Sequence, residues 1–252
     1  MIKIFLSLFF FILGTIVGSF LNCLIFRLEN KESFLKGRSF CLSCKNILNW
    51  KDLIPILSFV FLKGKCRYCG KKISLQYPLV EFFTGLIFAL FFYFLNFDNF
   101  FLLLFYFLIS SLLILVFVFD LKHYLIPDEI LNFLIFLAFF YFLFHFSSFK
   151  NLFLSLFPSL FFLGLILISK EKWMGWGDFK FSIFMGLFLD WPQVLIALIL
   201  SIFGGGLVGI VLIFLKKKTL KSQLPFASFL VLATFLTLFF GQSLIDFYFS
   251  LF

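Results

Sequence analysis

Lys170-Glu-Lys-Trp-Met-Gly-Trp-Gly-Asp-Phe-Lys180 separates two apolar runs, and its reading decides the fold. The run after Lys180 carries no charge until Asp190, so Asp178 stands at the mouth of an apolar helix. A carboxylate there is costly to bury and marks a functional site by default. Glycine has no Cβ, so Gly175 and Gly177 let the backbone bend sharply and come close to a neighbouring helix or an extended peptide. A second acid, Asp120, ends the apolar run Leu112–Phe119 and opens Asp120-Leu-Lys-His-Tyr-Leu-Ile-Pro-Asp128. Two facing carboxylates can share one proton and activate a water. Asp120 and Asp178 are therefore the candidate catalytic pair, with Gly175 and Gly177 as the supporting loop.

Composition places this site at a membrane. Of 252 residues, 63% are hydrophobic, 24% aromatic and only 13% charged, against roughly 25% charged in soluble domains. Eight apolar stretches approach the ~20 residues that a bilayer requires. They are Ile4–Phe26, Val80–Leu95, Phe100–Phe119, Ile130–Phe146, Leu152–Ser169, Phe179–Leu189, Val194–Leu215 and Phe226–Phe247, the sixth being short. The first is longer than the 7–15 residues of a signal-peptide core, and no small-residue cleavage site follows, so it is expected to stay as a span. Gly14 and Gly18 within it permit close helix packing.

Basic residues set the orientation. Eleven lie between Arg27 and Pro78, which places that segment in the cytoplasm. Alternating the spans from there puts 19 of the 21 basic residues inside and leaves only Lys3 and Lys150 outside. The net charge of +9 is thus a topology signal rather than a nucleic-acid footprint, and no nucleic-acid partner is expected. Asp120 and Asp178 fall at the cytoplasmic ends of their helices, at similar depth, so they can meet.

The cytoplasmic segment carries Cys41-Leu-Ser-Cys44 and Cys66-Arg-Tyr-Cys69, with 21 residues between the pairs. Two such knuckles suit four thiolates around one tetrahedral Zn²⁺. The cytoplasm keeps thiols reduced, and a segment of about 50 residues gains folding energy from a metal that its small core cannot supply. Unliganded or redox-active dithiols are the plainer alternative. Asp128 reads as a helix-start acid favoured by the dipole. Glu81, opening the second span, reads either as such an acid or as a substrate- or cofactor-binding group.

These motifs together resemble the prepilin peptidases, the type IV leader peptidase family of GxGD membrane aspartic proteases. The likeness runs through Gly18-Ser-Phe-Leu-Asn22 with Arg27, Trp50-Lys-Asp-Leu-Ile-Pro55, the two cysteine knuckles and Tyr77-Pro-Leu-Val-Glu81. It continues through Asp120 with Ile126-Pro-Asp128, and Gly175-Trp-Gly-Asp178 with Lys180. The late block Pro225-Phe-Ala-Ser-Phe229 departs from the family's Pro-Phe-Gly-Pro-aromatic pattern, and Lys122 stands where arginine is common. The resemblance implies that Asp120 and Asp178 cleave leader peptides of prepilin or pseudopilin precursors on the cytoplasmic side. It also implies N-methylation of the new terminus from S-adenosylmethionine in bifunctional members, with Glu81 a candidate for methyl transfer or substrate contact.

The expected architecture is an all-α polytopic membrane protein of about eight helices, set in the bacterial inner membrane and contacting its lipids. Residues 1–26 form the first span, 27–78 the cytoplasmic zinc-binding segment and 79–252 the membrane peptidase domain. A proton- or ion-coupled transporter is the rival reading, but it wants acids at the bilayer midplane rather than at one face. A thiol oxidoreductase wants its cysteines on the oxidising side, and a zinc protease wants a His-Glu-x-x-His helix.

Overall fold

The computed structural model describes residues 2–30, 37–95, 99–144, 149–219 and 222–250. Lys31, Lys36, Lys221 and Phe146, used above in placing spans and charges, lie outside the described residues. Ten α-helices carry the described chain: α1 Ile2–Glu29, α2 Leu57–Phe61, α3 Gln76–Phe94, α4 Phe100–His123, α5 Asp128–Phe144, α6 Phe149–Ser155, α7 Phe157–Ser169, α8 Trp176–Leu189, α9 Gln193–Phe214 and α10 Phe226–Ser250. The fold is all-α, as its composition implies. Every backbone N–H and C=O in hydrocarbon must be satisfied within its own segment, which an α-helix achieves.

Among the described residues, six stretches are long and apolar enough to cross a membrane: α1, α3, α4, Lys150–Ser169, α9 and the Phe226–Phe247 part of α10. The other two expected spans are helical but shorter, 17 residues in α5 and 14 in α8. At about 1.5 Å per residue α8 reaches roughly 21 Å, less than the ~30 Å hydrocarbon core. The expected fifth span is broken in two at Leu156, because Pro158 lacks the N–H and the room to continue α6.

The chain forms two compact units, Met1–Leu115 and Val116–Phe252. In the first, α1 and α3 run antiparallel and in near backbone contact. A Cβ on Gly14 would lie 2.7 Å from the Cα of Gly85, and one on Gly18 2.7 Å from the Cα of Glu81. The small-residue packing expected of the first span is therefore realised against α3. Asn22 extends the seam by donating from its side-chain amide to the Tyr77 carbonyl at 3.0 Å.

In the second unit the short α8 is the hub, in contact with α5, α6, α7, α9 and α10. Its residues Phe181, Ser182 and Phe184–Leu189 are buried. Gly186 lies against the Ser155 carbonyl at the α6–α7 break, where any Cβ would collide with backbone. A helix too short to span is tolerated because protein, rather than lipid, surrounds it.

Candidate functional site

Asp120 lies in the last turn of α4, and Asp178 is the third residue of α8. Where the sequence predicts a sharp bend at the two glycines, the structure has an ordinary helix start. Gly175 is the N-cap with extended backbone, and the Asp178 N–H donates to its carbonyl at 3.2 Å. Gly177 faces Ile126, whose Cδ1 would lie 3.2 Å from an added Cβ. The missing Cβ thus lets the turn between α4 and α5 seat against the start of α8. Lys180 reinforces that seat, its ammonium 2.6 Å from Asp128 Oδ1. Asp128, a helix-start acid as expected, also ties α5 to α8.

The two candidate acids share one neighbourhood, and the charge on Asp120 acts on Asp178. Their surroundings differ. Asp120 is 4% exposed, and its Oδ2 accepts the Ser228 backbone N–H at 2.6 Å and the Ser228 hydroxyl at 2.8 Å. Among the described residues, the Asp178 carboxyl is met by one backbone N–H, that of Gly175. A pair of close carboxyl groups in unequal surroundings can divide the roles of base and acid. Ser228 was not singled out by sequence reading. The signal was there in Pro225-Phe-Ala-Ser228 before an apolar run, which marks a helix start with free N–H groups.

In the first unit, Cys41, Cys44, Cys66 and Cys69 converge. Their sulfurs all lie within 4.8 Å of one another, with Cys41 and Cys69 at 4.0 Å. Bonds of about 2.3 Å to a tetrahedral Zn²⁺ separate sulfurs by roughly 3.8 Å, so the cluster could hold that ion. The two knuckles repeat one conformation. In each the first cysteine N–H closes on a residue five positions on, Cys41 to the Asn46 carbonyl at 2.9 Å and Cys66 to that of Lys71 at 2.8 Å. The residue after the second cysteine is left-handed in both, φ 59° at Lys45 and 69° at Gly70. The N–H of Cys44 aimed at the Cys41 thiol lowers it to about 6, so a thiolate is available. At Cys69 the Lys71 N–H works in the same direction, but burial and the three neighbouring cysteines outweigh it and raise the thiol to about 11. Four thiols this close cannot share several negative charges unless a cation joins them.

Asp52 locks the second knuckle to the Trp50–Asp52 turn. It accepts from Arg67 Nε at 2.7 Å, the Tyr68 hydroxyl at 3.1 Å and the Asn49 N–H at 3.2 Å. Burial opposes its ionisation, yet these donors prevail and hold the carboxyl below its ordinary value. Beside it opens a cavity of about 400 Å³ lined by Asn22, Arg27, Phe40, Asp52, Tyr77 and Glu81 among others. Glu81 is 8% exposed, and its Oε2 accepts the Ile56 N–H at 2.7 Å. Ile56 sits at φ 59°, ψ −51°, a strained conformation for a β-branched residue. The Glu81 carboxyl therefore braces a tight turn at the cavity wall.

Comparison with known proteins places the chain in a family. The Bacterial Peptidase A24 N-terminal domain matches residues 12–95, and the Type IV leader peptidase family matches residues 106–210. A Bacillus subtilis protein named prepilin leader peptidase/N-methyltransferase is 33% identical over 241 residues, covering 94% of this chain and 96% of its own. Proteins of the same name from Legionella pneumophila and Aeromonas salmonicida are 28% and 29% identical, each over 90% or more of this chain and 82% and 92% of their own lengths. No solved structure matches the chain. With both family domains in order along the sequence and a full-length relative at one-third identity, the chain belongs to the type IV leader peptidase family.

Proposed function

We propose that the protein is a membrane aspartic endopeptidase that removes leader peptides from prepilin-like precursors on the cytoplasmic side and N-methylates the new terminus. What supports the peptidase half is that Asp120 and Asp178, from two separate helix ends, lie near enough to interact electrostatically. Hydrolysis needs one carboxylate to take a proton from water and one carboxylic acid to polarise the scissile carbonyl. At Gly175 an added Cβ would meet nothing nearer than 4.0 Å, so the approach to Asp178 is low enough there for an extended peptide. A transporter needs its acids along a path through the bilayer, whereas these stand at helix termini.

The methylating half rests on the cavity of the first unit. S-adenosylmethionine, when bound, supplies an electrophilic methyl. A space of about 400 Å³ lies within the usual range for small-molecule sites. Asp52 offers negative charge to a sulfonium, the Arg27 and Arg38 side chains suit a carboxylate, and Phe26, Phe40 and Tyr77 are rings that suit a purine, all of them lining the cavity. Zinc bound by Cys41, Cys44, Cys66 and Cys69 would hold the wall formed by the knuckles. On this reading residues 1–26 anchor, 27–78 form the zinc segment in the cytoplasm, and 79–252 complete the enzyme in the bacterial inner membrane.

The test is to incubate the membrane protein with a prepilin-like precursor and determine the product's N-terminus and mass. Asp120→Asn and Asp178→Asn should each lower cleavage at least about a thousandfold, the order seen when a catalytic group is removed, while the protein stays inserted. Substantial turnover by either variant removes that residue from the pair. Given pre-cleaved substrate, Asp178→Asn should still add the methyl group. An unmodified terminus from the wild-type enzyme with cofactor present would refute the second activity.

A further inference from the structure

The hydrogen bonds around the two acids are unequal in a way that assigns their chemistry, on the peptidase reading above. Both Ser228 donors converge on one oxygen, Asp120 Oδ2, at 2.6 Å from the N–H and 2.8 Å from the hydroxyl. The hydroxyl's other acceptor, the Phe117 carbonyl, is at 3.4 Å, too long to compete. A carboxylate oxygen that receives two donors gains most when it is ionised, because bonds to a charged acceptor are about twice as strong as neutral ones. Ser228 is itself 2% exposed, so water does not screen the interaction. It sits in the first turn of α10, where N–H groups have no intrahelical partner and the helix dipole favours a negative charge.

We propose that Ser228 holds Asp120 as the ionised member of the pair, leaving Asp178 as the protonated acid. The step then follows. Asp120 takes one proton from water as the water oxygen bonds to the scissile carbonyl carbon. The carbonyl π pair moves onto its oxygen, which takes the proton of Asp178. The resulting gem-diol returns a hydroxyl proton to Asp178 as it collapses, and Asp120 gives its proton to the departing amine as the C–N bond breaks. Both acids end as they began.

Ser228 is a positioning residue, since it acts through Asp120. Replacing it by alanine removes the hydroxyl and keeps the N–H, and should lower kcat about tenfold at unchanged KM, the effect of losing one hydrogen bond to a charged group. Ser228→Thr, which keeps both donors, should recover activity to within about threefold of wild type. Infrared difference spectra of the full-length protein give a reading independent of turnover. Wild type minus Asp178→Asn should contain a protonated carboxylic acid band, and wild type minus Asp120→Asn should contain carboxylate bands. The reverse pattern overturns the assignment even if both variants are inactive. So does a Ser228→Ala enzyme with unchanged kcat, or one that threonine fails to restore. Retained cleavage in either aspartate variant would instead overturn the peptidase reading itself.

Discussion

Replacing Glu81 by leucine and by glutamine separates what its carboxyl braces from what its charge does. The structure shows it, with the Ser19 hydroxyl as a second partner, accepting the N–H of Ile56 at 2.7 Å. That bond holds Ile56 at φ 59°, a backbone state that costs a β-branched residue of order 1–3 kcal/mol. Leucine removes the acceptor, and Ile56 is only half-buried, so water recovers part of the loss. A net penalty of about 1–2 kcal/mol for the braced turn is reasonable, a five- to thirtyfold fall in its population. Glutamine keeps an acceptor oxygen and should cost under about 1 kcal/mol. If the turn shapes the methyl-donor cavity, the apparent KM for S-adenosylmethionine should rise roughly tenfold in Glu81→Leu and about threefold or less in Glu81→Gln. Cleavage should change less than methylation in both. The assay is mass spectrometry of the mature substrate over a cofactor titration, with cleavage read from the same reactions. Equal losses of methylation in the two variants would refute the bracing argument and assign the charge itself to the reaction. Equal losses of cleavage and methylation in Glu81→Leu would mean that the variant had damaged the whole unit.

Two further outcomes follow from the first unit. Purified protein should carry about one zinc per chain, and serine at any of Cys41, Cys44, Cys66 or Cys69 should release it, as elemental analysis would show; a metal-free protein with the four thiols equally protected would contradict this. Asp52 should stabilise the segment by about 1–2 kcal/mol at neutral pH, a figure discounted for the half-exposed Arg67. Because its folded value lies below the unfolded one of about 3.9, that contribution is complete above roughly pH 5 and is lost as pH falls through the folded value. The stability difference between wild type and Asp52→Asn, measured by thermal unfolding at matched zinc loading, should therefore shrink between about pH 5 and 3. A difference that grows on acidification would refute the role given to Arg67 and Tyr68.

Reading the chain alone was enough to find the long apolar helices, though not α2 or the break between α6 and α7, because the signals are local. Apolar runs near span length, bounded by charge, mark helices whatever they later touch, and basic residues in the loops assign sides without knowledge of packing. Cys41, Cys44, Cys66 and Cys69 were legible as a set for the same reason, since a knuckle is a short-range turn. Gly14 and Gly18 announced a close helix contact, though not that Glu81 and Gly85 would be its other half. That Asp120 and Asp178 stand at the same depth is what the span count leads one to expect.

What the tertiary structure alone decided is where polar groups far apart in the chain meet. Ser228 reaches Asp120 across 108 positions, and Ile56 meets Glu81 across 25. No periodicity encodes either pairing, because each depends on how helices and turns pack rather than on what they are. The same holds for α8, whose 14 residues look too short for a membrane. Only the packing of α5, α6, α7, α9 and α10 shows why that length suffices: from Phe181 onward the helix bearing Asp178 lies mostly against protein rather than lipid.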